Sequence, residues 1–428
     1  MKFCMVTTFF GGHSFGGDAA YVDRLARALL RRGHEVHVIH CADSFQAVRG
    51  AHPLRPYTPP PGLQVHRLES PLGVISPLAT QITGKPYFKT RALRKLLDAV
   101  DTDVVHFHNI SLVGGPDVLH LGKQAVRLMT AHEHWLICPM HLLWKYGKKA
   151  CDGPQCVRCS LAGRRPPQVW RFTGAIDRGL QQLDALVFPT RHTLEEHRRR
   201  GIGAPMVHLP YFLPDDWSRG IEDDMPETQA SGRPYLAAAG RLVAMKGFQR
   251  LIPMMKFLPE VDLRIAGTGP YEWHLRRLAS GLPNVKFEGL LSGERLSQLF
   301  HGARAVVVPS LFPETFGYVV LEAFAVRTPV VVDRGGGALL ETGVQSGGGL
   351  GYTTDAEMLL ALRRIVHDDE LRDELADQGF AVRRGEWSEA AHMDRYFGLI
   401  ASIRGSRPTA NTPHSRARAR DGSNVAGG

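Results

Sequence analysis

The stretch Ala303-Arg304-Ala305-Val306-Val307-Val308-Pro309-Ser310-Leu311-Phe312-Pro313-Glu314-Thr315-Phe316-Gly317-Tyr318-Val319-Val320-Leu321-Glu322 decides how the rest of the chain is read. Ala303 to Val308 is short and β-branched, the composition of a buried parallel strand. Gly317 to Val326 is mostly apolar and free of proline, the composition of a buried helix. The loop between them carries one carboxylate, Glu314, just ahead of the helix, and Glu322 lies further along it. First-turn amides near Phe316 and Gly317 have no intrahelical partners, so this loop can hold an anion. A carboxylate beside an anion site makes sense when it faces something else, such as sugar hydroxyls. The plainer alternative is that Glu314 favours the helix N-terminus and Glu322 sits on a solvated face.

Outward from this stretch, strands and helices alternate. Upstream, strands Tyr235–Ala239, Val261–Ala266 and Val285–Gly289 are separated by helices over Gly247–Phe257, Tyr271–Ser280 and Ser292–Gly302. Downstream come a strand, Pro329–Asp333, two helices over 355–384, and a last helix, Ser388–Ile403, with Ser388 as N-cap. The first half repeats the pattern. A strand from Lys2 to Phe10 leads through Gly11-Gly12-His13-Ser14-Phe15-Gly16-Gly17 into a helix with apolar residues at Val22, Leu25, Ala26, Leu29 and Leu30, stopped by Gly33. Further strands fall at Glu35–His40, Gln64–Arg67, Asp103–His108, Val126–Thr130, Ala185–Pro189 and Met206–Leu209, while Asp43–Pro61 reads as a long loop. Such alternation predicts two doubly wound α/β domains. The first glycine loop is not spaced as G-x-G-x-x-G, and no acidic residue closes the second strand, which argues against a dinucleotide. Residues 215–233 are polar and acidic, the composition of a linker. Residues 405–428 are rich in Ser, Pro, Arg and Gly and are expected to be disordered.

The chain has 428 residues, 43% of them hydrophobic and 22% charged, enough for two cores in a soluble globular protein. No apolar run approaches the roughly 18 residues of a membrane span, and the first residues read as a strand rather than a signal peptide, so a cytoplasmic protein is expected. Part of the net charge of +10 lies in the tail, with four arginines against Asp421. The clusters Arg91/Arg94/Lys95 and Arg198-Arg199-Arg200 suit either a solvated face or anionic lipid at the cytoplasmic membrane surface. No aromatic–basic module of a nucleic-acid binder is present, and nucleic acid is not expected as a partner.

Five motifs then fall in one order: Gly16-Gly17, Thr130-Ala131-His132, Gly240-Arg241-Leu242-Val243…Lys246-Gly247, Ala266-Gly267-Thr268-Gly269-Pro270 and P-S-x(3)-E-T-F-G-x(4)-E-A. Together they resemble the retaining GT-B glycosyltransferases of family 4, whose E-x7-E signature corresponds to Glu314 and Glu322. The resemblance covers roughly residues 1 to 400. It implies a GT-B fold, with an acceptor domain over 1–214, a donor domain over 234–386 and a helix over 387–404 that crosses back to the first domain. It also implies transfer of a hexose from a UDP- or GDP-sugar to a glycan, lipid-linked glycan or small-molecule acceptor. Arg241 and Lys246 would hold the leaving diphosphate, so that no catalytic metal is required. The resemblance places Glu314 and His132 on the donor sugar, Glu322 on the ribose, and Gly16, Gly17, Gly240, Phe316 and Gly317 around the donor. Gly267 and Gly269 would shape a neighbouring loop. Glu133 stands where an aspartate is expected, and His134 where an aromatic is common. With no evident covalent nucleophile, front-face attack is the simplest retaining route. Rivals are a sugar-nucleotide epimerase or hydrolase of the same fold, and a non-enzymatic zinc-stapled nucleotide-sugar binder.

A second cluster stands apart. Cys138, Cys151, Cys156 and Cys159 are spaced C-x12-C-x4-C-x2-C within an insertion over 135–165, similar to a cysteine-rich subset of the same family. Cytoplasmic thiols stay reduced. Four of them in one loop suggest structural zinc, with an iron–sulfur cluster or unligated cysteines as alternatives. The segment between them shows little helical or strand pattern of its own.

Overall fold

The computed structural model describes residues 1–14, 16–50, 52–53, 56–217 and 233–407. The strands of the first half are β1 (Lys2–Thr7), β2 (Glu35–Cys41), β3 (Leu63–Leu68), β4 (Val104–Phe107), β5 (Val126–Thr130), β6 (Trp144–Lys145), β7 (Lys149–Ala150), β8 (Ala185–Phe188) and β9 (Met206–His208). Apart from the β6–β7 hairpin they form one sheet of order β3-β2-β1-β4-β5-β8-β9, parallel throughout. The second half contributes β10 (Tyr235–Ala239), β11 (Asp262–Ala266), β12 (Val285–Gly289), β13 (Ala305–Val308), β14 (Val330–Asp333) and β15 (Gly349–Tyr352), in the order β12-β11-β10-β13-β14-β15, also parallel. Every residue of β4, β8, β13 and β14 is buried, as strands covered on both faces require.

Seven helices belong to the first sheet: α1 (Gly17–Arg31), α2 (Ala42–Arg49), α3 (Ile75–Thr83), α4 (Thr90–Val100), α5 (Cys156–Ala162), α6 (Ala175–Leu180) and α7 (Arg191–Arg199). Seven follow: α8 (Phe248–Leu251), α9 (Glu272–Leu278), α10 (Glu294–His301), α11 (Tyr318–Phe324), α12 (Asp355–His367), α13 (Asp369–Arg384) and α14 (Glu389–Ser406). Two sheets with helices give the two-domain α/β architecture of the GT-B fold. The α14 helix starts from Ser388, whose hydroxyl accepts the Ala391 N–H, and lies against the first domain. There His392 Nδ1 sits 2.7 Å from the Pro210 carbonyl, the Tyr396 hydroxyl meets His106, and Glu389 pairs with Arg31 and Arg32. Phe316, Trp387, Tyr396 and Phe212 belong to one apolar core that joins both halves.

Three local expectations change. The predicted loop over 43–61 begins as α2, which buries Asp43 and Phe45. Its polar sequence is compensated at a distance, because the Asp43 carboxylate accepts the Ser70 N–H at 2.8 Å. The β15 strand went unread because Gly-Leu-Gly-Tyr has weak strand character and is held by pairing with β14. The cysteine-rich segment, expected to lack regular structure, forms the β6–β7 hairpin and the α5 turn. The larger part of the expected linker (218–232) and the tail from 408 lie outside the described residues.

Candidate active site

Both sheets reverse strand order beside their first strand, between β1 and β4 and between β10 and β13. Ligands of open α/β sheets bind beyond the carboxyl ends of strands at such a reversal. All five sequence motifs follow strand ends at or beside these two positions.

On the second domain, Lys246 ends a short 3-10 turn (Ala244–Lys246) after β10, and Glu314 follows β13. The Lys246 ammonium donates to Glu314 Oε1 at 2.6 Å, and the Ser310 hydroxyl donates to the same oxygen at 2.7 Å. The Glu314 backbone is fixed on both sides, donating to the Gly336 carbonyl and accepting from the Ala338 N–H. Gly247 makes this proximity possible: it has φ +76°, and a Cβ there would fall 1.7 Å from the Pro309 carbonyl oxygen. Gly267 plays the same part beside Gly240, whose carbonyl oxygen would lie 1.9 Å from an added Cβ. Gly269 similarly packs against the Leu242 backbone. Arg241 makes no ion pair among the described residues, and burial together with the nearby Arg49 guanidinium lowers its pKa.

Glu322 is not on a solvated face. One turn into α11, its side chain is 14% exposed and meets Arg24 of α1 at 3.6 Å. Burial raises its pKa, while Arg24 opposes the rise. Arg24 also lies over the Tyr318 ring, and Tyr318 stacks on Tyr211 with centroids 5.0 Å apart. A Cβ on Gly17 would come within 3.0 Å of that Tyr318 ring, so the glycine admits the start of α11. Gly16, ahead of α1, has φ +112°. Phe316 is a core side chain packed on Trp387, and its carbonyl accepts the Thr342 hydroxyl. Gly317, with φ +86°, turns the chain into α11.

The first domain clasps the loop that carries Glu314. The Thr315 hydroxyl donates to the His132 carbonyl at 2.8 Å, and Thr190 and Thr193 hydroxyls donate to the Thr315 carbonyl. His134 Nε2 lies 3.1 Å from the Pro313 carbonyl. His132 is engaged at both ring nitrogens, Nε2 with His108 Nδ1 at 2.9 Å and Nδ1 with the Tyr211 hydroxyl at 2.5 Å. Burial pulls its pKa down to about 3, so the ring is neutral. Contact between this ring and a sugar therefore requires one of the two bonds to be exchanged.

Sequence reading missed a group beside His132. The amide of Asn109 donates to both Asp18 Oδ2 and Glu133 Oε1 at 3.2 Å, and His141 Nδ1 lies 2.5 Å from Glu133 Oε1. Burial first, then the Glu133 charge, push the Asp18 carboxyl up to about 6. His108, Asn109, Glu133 and Trp135 line a small cavity here. The position of Asp18, directly after Gly16-Gly17, was the available signal.

The four cysteines are free thiols. The Cys138 sulfur receives backbone N–H groups of Leu143, Met140 and Leu142, and the Tyr146 N–H points at Cys159 Sγ at 3.4 Å. Cys138, Cys151 and Cys159 all lie close enough to raise the pKa of Cys156, although burial is the larger cause. Among the described residues, no three or more His, Cys, Asp or Glu side chains, these thiols included, are arranged to hold a metal ion. Nor is any helix of the described residues long and apolar enough to cross a membrane.

Two protein families match the chain. Residues 15–212 match Glycosyltransferase Family 4, and residues 221–382 match Glycosyl transferases group 1. A sulfoquinovosyl transferase of Arabidopsis thaliana is 37% identical over 38% of this chain and 32% of its own length. A lipopolysaccharide core biosynthesis glycosyltransferase of Rhizobium meliloti is 35% identical over 40% of this chain and 50% of its own. The match thus spans half or less of these two relatives. A GDP-mannose-dependent phosphatidylinositol monomannoside mannosyltransferase of Corynebacterium glutamicum is 27% identical over 71% of this chain and 85% of its own. Among solved structures, sucrose-phosphate synthase of Thermosynechococcus elongatus superposes with a TM-score of 0.71 at 19% identity, covering 95% of this chain and all of that one. An Anabaena protein in complex with UDP and glucose gives 0.66 at 15% identity, covering 94% of this chain and all of that one.

Proposed function

Because the chain belongs to the GT-B glycosyltransferases of family 4, we propose that it moves a hexosyl group from a UDP- or GDP-sugar to a hydroxyl of a glycan, lipid-linked glycan or small-molecule acceptor, with retention at the anomeric carbon. One observation carries this reading: Lys246 and Glu314 meet at the mouth of the second sheet, 2.6 Å apart, and Arg241, which follows the same strand as Lys246, is in no ion pair among the described residues. A cation and a carboxylate at one point suit a ligand that is anionic at one end and polyhydroxylic at the other. The diphosphate takes Arg241 and Lys246, the first as a planar fork and the second as a point charge. Glu314 then accepts the sugar hydroxyls, and Glu322 accepts those of the ribose once Arg24 yields. The relative named for GDP-mannose and the neighbour bound to UDP support a nucleotide-linked donor, and leave both bases open.

In the transfer step, the bond from the anomeric carbon to the diphosphate oxygen breaks. The acceptor oxygen bonds to the same carbon from the same face, and its proton passes to the departing phosphate oxygen. Preorganised charge from Arg241 and Lys246 stabilises the oxygen as its charge grows. His132, neutral and tethered, forms the wall beside the sugar, and Asp18, Asn109 and Glu133 receive the acceptor hydroxyls. Mass-spectrometric screening of UDP- and GDP-sugars with purified protein tests the reading. Transfer to added acceptors is expected, slow hydrolysis without them is compatible, and no consumption of any sugar overturns it.

For the four cysteines we propose structural zinc, with an iron–sulfur cluster as the alternative. Support comes from the N–H groups directed at Cys138 and Cys159, which oppose the effect of burial on a thiolate, and from the nearness of Cys156 to the other three; the four sulfurs are not arranged around an ion among the described residues, so ligation would draw the insertion together. Such a metal would order the insertion beside Glu133 without entering the transfer step, because four thiolates leave no open coordination position.

A further inference from the structure

We propose that the face built from α3, the 3-10 turn Tyr87–Lys89, the start of α4 and the 3-10 segment Val169–Thr173 docks on an anionic lipid bilayer. The α3 helix is turned inside out. Its polar residues Ser76, Thr80 and Gln81 are buried, whereas Ile75, Leu78 and Ile82 are 55%, 46% and 44% exposed. Tyr87, Phe88 and Phe172 extend the exposed apolar surface, and both 3-10 segments pack on α3. Single exposed apolar residues are ordinary, but a contiguous set on one helix and its neighbours marks an interaction surface.

The inner, polar face is committed, which fixes the rotation of the helix. Gln81 Oε1 accepts from Gln168 at 2.8 Å, Gln81 Nε2 donates to the Pro166 carbonyl, and the Trp170 indole donates to the Gln81 carbonyl. Rolling α3 to bury Ile75, Leu78 and Ile82 would break all three bonds. The polar residues hold the Val169–Thr173 segment, and the apolar residues are left to face outward.

Charge selects the partner. Lys85, Arg91, Arg94 and Lys95, just before the Tyr87–Lys89 turn and on α4, are exposed, as are Arg164 and Arg165, which precede the Val169–Thr173 segment. None of the six is in an ion pair among the described residues, and no Asp or Glu occurs over 70–97 or 153–176. Elsewhere surface arginines find carboxylates on their own helix: Arg198 and Arg199 pair with Glu195, Arg200 with Glu196 and Arg276 with Glu272. Of the two basic clusters in the sequence, that on α7 is therefore paired with carboxylates of its own helix, whereas that on α4 forms no ion pair among the described residues, Asp98 of the same helix included. A second copy of the chain would set this cationic rim against itself, because a two-fold contact places the same patch on both sides. An anionic bilayer takes the apolar residues into its interface and the cations among its headgroups.

The test is sedimentation of the full chain with vesicles, one set of phosphatidylcholine alone and one with about a third phosphatidylglycerol. Binding to the mixed vesicles that weakens with salt is expected, with little to phosphatidylcholine alone. The variant Arg91→Glu/Arg94→Glu/Lys95→Glu should lose about 10²-fold in partitioning, given the usual gain per cation near an anionic surface. Leu78→Asn/Ile82→Asn/Phe172→Ser should lose binding while its circular dichroism stays unchanged. No partitioning of folded protein, or partitioning that neither variant reduces, overturns the proposal. So does light scattering that shows a dimer which the apolar variant dissolves. No sugar donor or acceptor enters the measurement, so its outcome is independent of the transfer reaction.

Discussion

Replacing Lys246 with Ala probes the group on which the transfer reading depends. Its ammonium lies 2.6 Å from Glu314 Oε1, with the two side chains 25% and 13% exposed. Removal has two separable consequences. In the free protein, Glu314 keeps only the Ser310 hydroxyl, and losing a charge-assisted bond at a partly buried carboxylate costs about 1–3 kcal/mol of stability. In the reaction, losing a preorganised charge at the departing oxygen costs about 10²- to 10³-fold in turnover, or about 2.7–4 kcal/mol. The double variant Lys246→Ala/Glu314→Gln separates the two. If Lys246 merely neutralises Glu314, the neutral glutamine makes the lysine dispensable, and the double variant matches Glu314→Gln. If Lys246 meets the diphosphate, the full ~10²-fold loss persists in that background. Turnover is read by mass spectrometry of the released nucleotide, and folding by thermal melting. A folded Lys246→Ala protein within about fivefold of the parent, or a loss that disappears beside Glu314→Gln, refutes the assignment.

Three further outcomes are expected. Glu314→Gln should weaken handling of the donor sugar while free UDP or GDP still binds, whereas Glu322→Ala should weaken the free nucleotide about tenfold or more by calorimetry; equal losses would mean that the roles are wrongly divided. Asp18, whose pKa of about 6 exceeds that of an unfolded aspartate, adds stability below about pH 4 that is lost as pH rises through about 6. Asp18→Asn should therefore gain about 1–3 kcal/mol on the parent at pH 8 and lose that advantage near pH 4 in urea melts; a pH-independent difference would contradict the burial of this carboxyl. Elemental analysis of untagged protein should find about one zinc per chain, absent in Cys156→Ser/Cys159→Ser, with faster proteolysis over 138–159; less than about a tenth of an equivalent of zinc or iron in active protein refutes the metal.

Much of the fold was legible because strand and helix periodicity are properties of neighbouring residues. The Ala-Val-Val-Val run of β13, the spacing of Val22, Leu25, Ala26 and Leu29 in α1, and Ser388 as the cap of α14 needed no distant partner to be read. The motif order also placed Arg241, Lys246 and Glu314 at strand ends, since their spacing encodes a strand, a loop and a helix. Only tertiary structure decided the rest. Asp43–Arg49 became helical because Asp43 finds the Ser70 N–H across the fold. His132 lost its free nitrogens to His108 and Tyr211, one of them 79 residues away. Glu322 turned out to face Arg24 because the two sheets bring their strand ends together from opposite sides, and Asp18 to share Asn109 with Glu133 because β1, β4 and β5 end side by side in one sheet. The exposed apolar face of α3 depends on Gln168 and Trp170, more than 80 residues downstream, which claim its polar side. Periodicity tells a chain which residues share a face, and packing decides what that face meets.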